Sequence, residues 1–256
     1  MTPLAQNHVA LYQSKDPQID CAYSPGIWRC ADGRLLATMD IGSLRQNESP
    51  SADGKPKPAY EGLNCRAMTS DDGGLTWTTR ADLDLYHARP FEAGGNLYVL
   101  GHRGDLRIAR STDNGITWSE VSLLSQDEFW HQAPANVWHA NGCVYLVMER
   151  RVDQEVQGWY PSELHPILMR GRNTDDLTQP DAWTMARTPA FHEVVSDQGF
   201  DGFGIPFYPG KYPEVWMAKD GKRGAAPIGW LEANVVQLLD PNHVWHDPTG
   251  KTFHLW

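Results

Sequence analysis

The sequence predicts an all-β fold built of four-stranded antiparallel blades, a β-propeller, and three observations carry that prediction. An eight-residue pattern, Ser-x-Asp-x-Gly-x-Thr-Trp, occurs as SDDGGLTW at 70–77 and again as STDNGITW at 111–118, which sets its two aspartates 41 residues apart. A strand–turn–strand pattern recurs at 27–40, 90–102, 135–150 and 234–256. The chain also holds 11 Trp, 23 Gly and 18 Pro, a mixture that favours short strands and tight turns over helices. Four-stranded units repeating every ~40–50 residues are the mark of a propeller.

The elements follow in chain order. IWRCADGRLLATMD (27–40) supplies strands A and B of a first blade, and LNCRAMT (63–69) leads as strand C into the first eight-residue box. PFEAGGNLYVLGH (90–102), LRIARS (106–111) and the second box repeat the scheme. The third blade opens with ANVWHANGCVYLVMER (135–150), and its C–D turn, RNTDDLTQPDAW (172–183), reads as a box stretched by insertion that keeps Asp175 and Trp183. NVVQLLDPNHVWHDPTGKTFHLW (234–256) reads as the first hairpin of a fourth blade. The expectation is one domain over 1–256 with about four blades, more chain needed beyond Trp256 to close a ring, and at 188–230 an inserted loop or, as the second choice, a divergent blade.

Each box has a physical division of labour. Asp72 and Asp113 accept bonds from backbone N–H groups of their own turns, with Ser70, Thr76, Ser111 and Thr117 beside them. Gly74 and Gly115 supply a positive φ, and Trp77 and Trp118 bury a large ring beside the hairpin. The boxes are architecture rather than chemistry.

Bulk properties exclude several functions. Net charge is −10 with no block of Lys or Arg, so nucleic acid is not an expected partner. No apolar run approaches the ~18 residues of a membrane helix, so no membrane partner is expected. The N-terminus has neither a basic segment nor a continuous apolar one, which makes a cytoplasmic location the expectation, or secretion where the N-terminus given is a processed or trimmed one. Cys21, Cys30, Cys65 and Cys143 share no CxxC spacing and read as free thiols, mostly within strands. The histidines show no HxH or HxxxH spacing, the pair in HVWHDPTG (243–250) reads as a turn, and neither metal nor cofactor is expected.

Strand direction locates the chemistry. With the boxes marking one end of each blade, the starts of A strands and the ends of B strands share the other end, where loops converge on rigid strands. A-strand starts carry Tyr23, Ser24, Arg89, His131 with Gln132, and Glu232; B-strand ends carry Asp40, His102, Arg103, Glu149, Arg150 and Arg151. Asp40, Glu149 and Glu232 are the candidate acid and base groups, because glycoside cleavage needs one carboxyl to protonate the leaving oxygen and another to act as base or nucleophile. His131 is a fourth candidate for proton transfer. Arg89, Arg103 and Arg150 are candidate bidentate grips on the carboxylate of an acidic sugar. His102 and Gln132 are candidate sugar contacts, and Trp130 a stacking surface. Loops 43–62 and 152–164 would rim this end. Loop aromatics (Trp159, Tyr160, Phe200, Phe203, Phe207 and Tyr208) either make sugar platforms or pack the insertion.

The two boxes resemble the Asp-boxes, or BNR repeats, of the sialidase (neuraminidase) superfamily, and the resemblance covers roughly residues 20–187. It implies a six-bladed propeller and a glycoside hydrolase that acts on a terminal sugar of a glycan, acidic or neutral, without a cofactor. It also implies an arginine triad for the substrate carboxylate, an Asp acid/base and a Tyr–Glu nucleophile pair. Where the family's first A strand opens with Arg-Ile-Pro, this chain has YSPG (23–26), and MDIGSLR after the first B strand leaves Asp40 and Arg45. The later arginines and the Tyr–Glu pair would fall largely beyond Trp256. Two other readings stay open: a uronate lyase using His131 or His102 as base, and a non-catalytic propeller that binds glycan or protein. The sequence carries no signal for oligomeric state, although unclosed blade edges would pair with another chain.

Overall fold

Apolar runs such as Leu35–Met39 and Leu97–Leu100 are too continuous for a strand with one wet face, and they form central strands covered on both sides. The computed structural model describes residues 7–17, 20–42, 63–131, 135–152, 164–187, 189 and 229–256. The chain divides into two compact units, 1–125 and 126–256. Among the described residues the fold is all-β, built of antiparallel meanders of about four strands each. Among the described residues there is no α-helix and so none long and apolar enough to cross a membrane.

The first unit holds two antiparallel meanders. One runs β1 (Cys21–Arg29), β2 (Leu35–Gly42), β3 (Asn64–Ser70) and β4 (Thr78–Leu83). The other runs β5 (Tyr86–Ala93), β6 (Asn96–Arg103), β7 (Asp105–Ser111) and β8 (Ser122–Leu123). They pack face to face through Cys65, Leu83, Leu85, Ala88, Val99 and Ala109. Trp118 of the second box touches this cluster and also the one formed by Cys30, Leu36, Ala67 and Leu97, so its indole wedges the two blades together. Asn114 fastens the same box to the first blade, its side chain donating to Asp32 Oδ2 at 2.8 Å and its carbonyl accepting from Arg34 at 3.3 Å.

The second unit contains β9 (Trp130–His131), β10 (Trp138–Ala140), β11 (Cys143–Arg151), β12 (Leu164–Arg172) and β13 (Trp183–Arg187). The A strand foreseen as one piece is two, because β9 and β10 both pair with β11. Between them, Asn136 turns its amide onto the hairpin of β14 (Val235–Val236) and β15 (His254–Leu255). Its Oδ1 accepts from Val235 N at 2.9 Å and its Nδ2 donates to Val235 O at 2.6 Å, which satisfies both backbone groups as a strand neighbour would. Tyr145 and Phe253 stack at 4.0 Å across the same packing surface.

Both boxes form the closed cage that their sequence implies. Asp72 Oδ1 accepts from the N–H groups of Leu75 and Thr76, both at 2.9 Å, while Oδ2 accepts from the Thr76 hydroxyl at 2.6 Å. Ser70 donates to Asp72 at 2.8 Å, accepts from Gly74 N at 2.9 Å, and Trp77 Nε1 donates to Gly74 O at 2.9 Å. Asp113 repeats the pattern, and the Thr117 hydroxyl and N–H pull its carboxyl down to about 2. The Thr76 donors hold Asp72 further below the usual range. An unforeseen cage of the same kind surrounds Asp247, which accepts from the N–H groups of Thr249, Lys251 and Thr252.

The stretched third box differs from expectation in its anchor. Asp176, not Asp175, takes the N–H of Thr178 at 3.1 Å and its hydroxyl at 2.8 Å. Trp183 keeps its place, donating from Nε1 to Leu177 O at 2.9 Å. The insertion moves the turn by one residue, and the carboxylate that faces the free N–H becomes the anchor. Asp176→Ala is therefore expected to cost ~1 kcal/mol, with Asp175→Ala close to neutral; thermal melts of the two variants separate them.

Cys30, Cys65 and Cys143 are buried and Cys21 is half-buried, and all four thiols are free.

Candidate functional site

A strand that must bury one face of each blade has few polar side chains, so those at its end are conspicuous. In the first unit Asp40 closes β2 with no solvent exposure, opposite Tyr23 on β1 and Cys65 on β3. Its Oδ2 accepts the backbone N–H of His87 at 2.8 Å. Burial drives its pKa up to about 7, against the opposing pull of that N–H, the Ser24 side chain and the Arg103 charge. A carboxyl poised there exchanges its proton near neutrality.

His102, at the matching end of β6, is also fully buried and lies opposite Tyr86. Its Nε2 sits 3.4 Å from His87 Nδ1, and the Tyr86 ring lies 4.3 Å from it, centroid to centroid. His87 is half-buried and adopts φ 52. The sequence reading missed it, although the Tyr-first pairs Tyr23-Ser24 and Tyr86-His87 begin their strands alike.

The backbone there is unusual in a repeated way. β1 and β5 each carry a bulge, between Tyr23 and Gly26 and between Tyr86 and Arg89. In each, two residues oppose one on the neighbouring strand, and the first of the two is left-handed: Ser24 at φ 46 and His87 at φ 52. Glu232, just before β14, has φ 60. Bulges of this kind re-aim side chains and gather near functional ends of sheets.

In the second unit Glu149 closes β11, fully buried, opposite His131 on β9. Its Oε1 accepts from Ala233 N at 3.0 Å, and Oε2 lies 3.4 Å from His131 Nδ1. Asp40 and Glu149 thus share a role, since each takes a backbone N–H at the start of the A strand that follows its blade. Glu128 is a further group that sequence reasoning passed over; it accepts from Trp130 Nε1 and from Arg150, both at 2.9 Å.

The remaining candidates fall in varied places. Arg89 is only 2% exposed, so an anion would reach it only by entering the sheet interior. Arg103 pairs with Asp84 at 2.7 Å and also bonds Asn64 and Leu63 O, while Arg150 pairs with Glu128. Trp130 is buried in its sheet, and Glu232 is exposed. Gln132, Arg45, nearly all of both rim loops and the loop aromatics lie outside the described residues. No group of three His, Cys, Asp or Glu among the described residues is arranged to hold a metal. A groove of about 630 Å³, lined by Tyr145, Arg170, Arg172, Thr184, Lys251 and Phe253, lies toward the other end of β11 from Glu149.

No protein-family model and no curated protein matches the sequence. Among solved structures, a protein of unknown function from Dyadobacter fermentans aligns with a TM-score of 0.46 and 18% identity, over 66% of this chain and 42% of that one. An α-L-arabinofuranosidase of Fusarium graminearum aligns at 0.42 and 15%, over 68% and 49%. A Hadza microbial sialidase aligns at 0.40 and 16%, over 65% and 44%. This chain spans less than half the length of each of the three.

Proposed function

We propose that the chain is the blade-bearing part of a glycoside hydrolase that removes a terminal sugar, acidic or neutral, from a glycan. The observation that carries this reading is Asp40, a dry carboxyl at the loop-bearing end of a rigid strand, with its pKa raised to about 7. Proton delivery to a glycosidic oxygen near neutral pH needs a carboxyl that stays protonated there, and Asp40, being fully buried, would supply that proton indirectly, through the Ser24 side chain that bonds it, rather than by contact with the sugar. Glu149 with His131 gives the second unit its own acid–base pair. Arg103 and Arg150 are part-buried and already hold carboxylates, which is the recognition an acidic sugar would exploit by exchange.

The test is turnover of sialyllactose, arabinobiose and a uronic-acid oligosaccharide by the full protein, followed by proton NMR. Release of a free terminal sugar is expected, and Glu149→Gln is expected to keep binding while turnover falls ~100-fold or more. A folded protein that releases nothing from any of them would overturn the reading. A second reading is elimination from a uronic acid, favoured by the His131 imidazole set against the Glu149 carboxylate as a base would be. Ultraviolet absorbance in the uronic-acid reaction identifies it, because elimination leaves a conjugated double bond and hydrolysis does not.

A further inference from the structure

Alternate residues of a strand share a face, so Leu168, Arg170 and Arg172 leave β12 on one side while the buried Ile167 and Met169 leave it on the other. Register sets Tyr145 of β11 on one flank of Arg170 and Thr184 of β13 on the other. That face lines the groove of about 630 Å³ in the second unit, and Lys251 and Phe253, from the segment leading into β15, complete it.

Three cations thus share one groove that no carboxylate of a described residue lines, in a chain whose net charge is −10. Arg34, Arg66, Arg103, Arg107 and Arg150 each pair with an Asp or Glu. Arg170, Arg172 and Lys251 pair with none among the described residues. Arg170 spends one donor, from Nη2 to the Thr184 hydroxyl at 3.1 Å, which steadies the guanidinium and leaves the rest of its fork. Lys251 rises from a fixed backbone, because Asp247 Oδ2 accepts its N–H at 3.1 Å. Asn141 Nδ2 and Gln237 Nε2 both donate to Gly250 O, at 2.9 and 2.8 Å, and so bolt that turn to the one joining β10 and β11. Tyr145 stacks on Phe253 at 4.0 Å, and its hydroxyl makes no hydrogen bond among the described residues. Like charges held this close repel one another, and an anion between them relieves the repulsion. The volume is that of a small-molecule site.

We propose that this groove binds an acidic sugar, whose carboxylate or sulfate is gripped by Arg170, Arg172 and Lys251 while the apolar face of its ring packs against the Tyr145–Phe253 pair. The proposal rests on the glycan reading above for the kind of molecule, and not for catalysis. Tyr145 lies four residues before Glu149 on β11, about 13 Å along the strand. The groove therefore anchors a stretch of glycan away from the Glu149 end and cleaves nothing.

Isothermal titration of the full protein tests this with a uronic-acid oligosaccharide, a sulfated oligosaccharide, lactose and inorganic sulfate. One or both acidic oligosaccharides are expected to bind, which tells carboxylate from sulfate, with lactose and inorganic sulfate ~10-fold or more weaker. Arg172→Glu and Lys251→Glu are each expected to weaken the acidic sugar ~10-fold or more. Both residues are exposed, so the variants should melt within about 2 °C of wild type. Lys15→Glu makes the same change of charge at an exposed lysine of the first unit and should leave binding unchanged. Acidic sugars that fail to bind, or that bind both groove variants as well as wild type, overturn the proposal. So does equal weakening by Lys15→Glu, which would make the effect one of overall charge, and so does inorganic sulfate binding as tightly as the sugars. Groove variants that melt well below wild type would show these cations packed against protein, which overturns it too. Turnover of the same sugars, followed alongside, reports on the Glu149 end, so failure of the hydrolase reading and failure of the groove are seen separately.

Discussion

Gly101→Ala is expected to melt far below the wild-type protein. Gly101 lies on β6 opposite the bulge of β5, and a Cβ there would stand 2.4 Å from the carbonyl oxygen of Tyr86 and 3.0 Å from Leu85 Cδ1. The first neighbour is backbone, and it is fixed from both sides. Tyr86 pairs with His102, and the following N–H is held by Asp40. Overpacking against backbone costs ~3 kcal/mol, a large part of a stability of ~5–15 kcal/mol. Gly95→Ala is the control, because nothing lies within 4 Å of its Cβ and only its φ of +78 opposes the change; it should cost ~1 kcal/mol. Circular dichroism melts of the two proteins test this. If Gly101→Ala melts within a few degrees of wild type, the close approach of β5 and β6 at the bulge is refuted.

The second large effect is a dependence of stability on pH that Asp40→Asn should abolish. In the unfolded chain the Asp40 carboxyl has its ordinary pKa of 3.8, and in the folded protein burial raises it to about 7. Between those values the unfolded chain gives up its proton and the folded one keeps it, so rising pH favours unfolding. The contribution is fully present below about pH 4 and is lost by about pH 7, with a difference on the order of 4 kcal/mol. Asparagine keeps the size and an acceptor oxygen for the His87 N–H but does not titrate. Urea denaturation of both proteins from about pH 4 to about pH 8 should therefore show wild type losing ground to the variant as pH rises. Parallel curves would mean that Asp40 is not dry in the folded state.

Much of this fold could be read from the chain because its signals are local. A box closes on itself within four residues, so Ser70 to Trp77 and Ser111 to Trp118 announce their turns without knowledge of anything else. The doubly covered B strands announce themselves as apolar runs, and strand direction then puts Asp40, His102 and Glu149 at one end of their own blades. What the chain concealed depends on partners far along it. The hold of Asp40 on His87 spans 47 residues and that of Glu149 on Ala233 spans 84, and no periodicity encodes either. Arg89 looks like a rim cation in sequence. The bulge just before it breaks the alternation of faces, and the structure buries it. Asp175 and Asp176 are chemically identical neighbours, and only the path of the stretched turn selects between them.

The same contrast in range sets an order of assembly. Joining the ends of a segment costs entropy that grows with its length, by ~2–3 kcal/mol between a span of four residues and one of 84. The box turns can therefore close early, each C–D hairpin acting as its own seed, whereas the bonds that Asp40 and Glu149 accept from the His87 and Ala233 N–H groups must await the docking of one blade on the next. Each unit would set from its box end, and the end that carries Asp40 in one unit and Glu149 in the other would form last. In refolding experiments, burial of Trp118 should therefore precede protection of the His87 and Ala233 amides from hydrogen exchange.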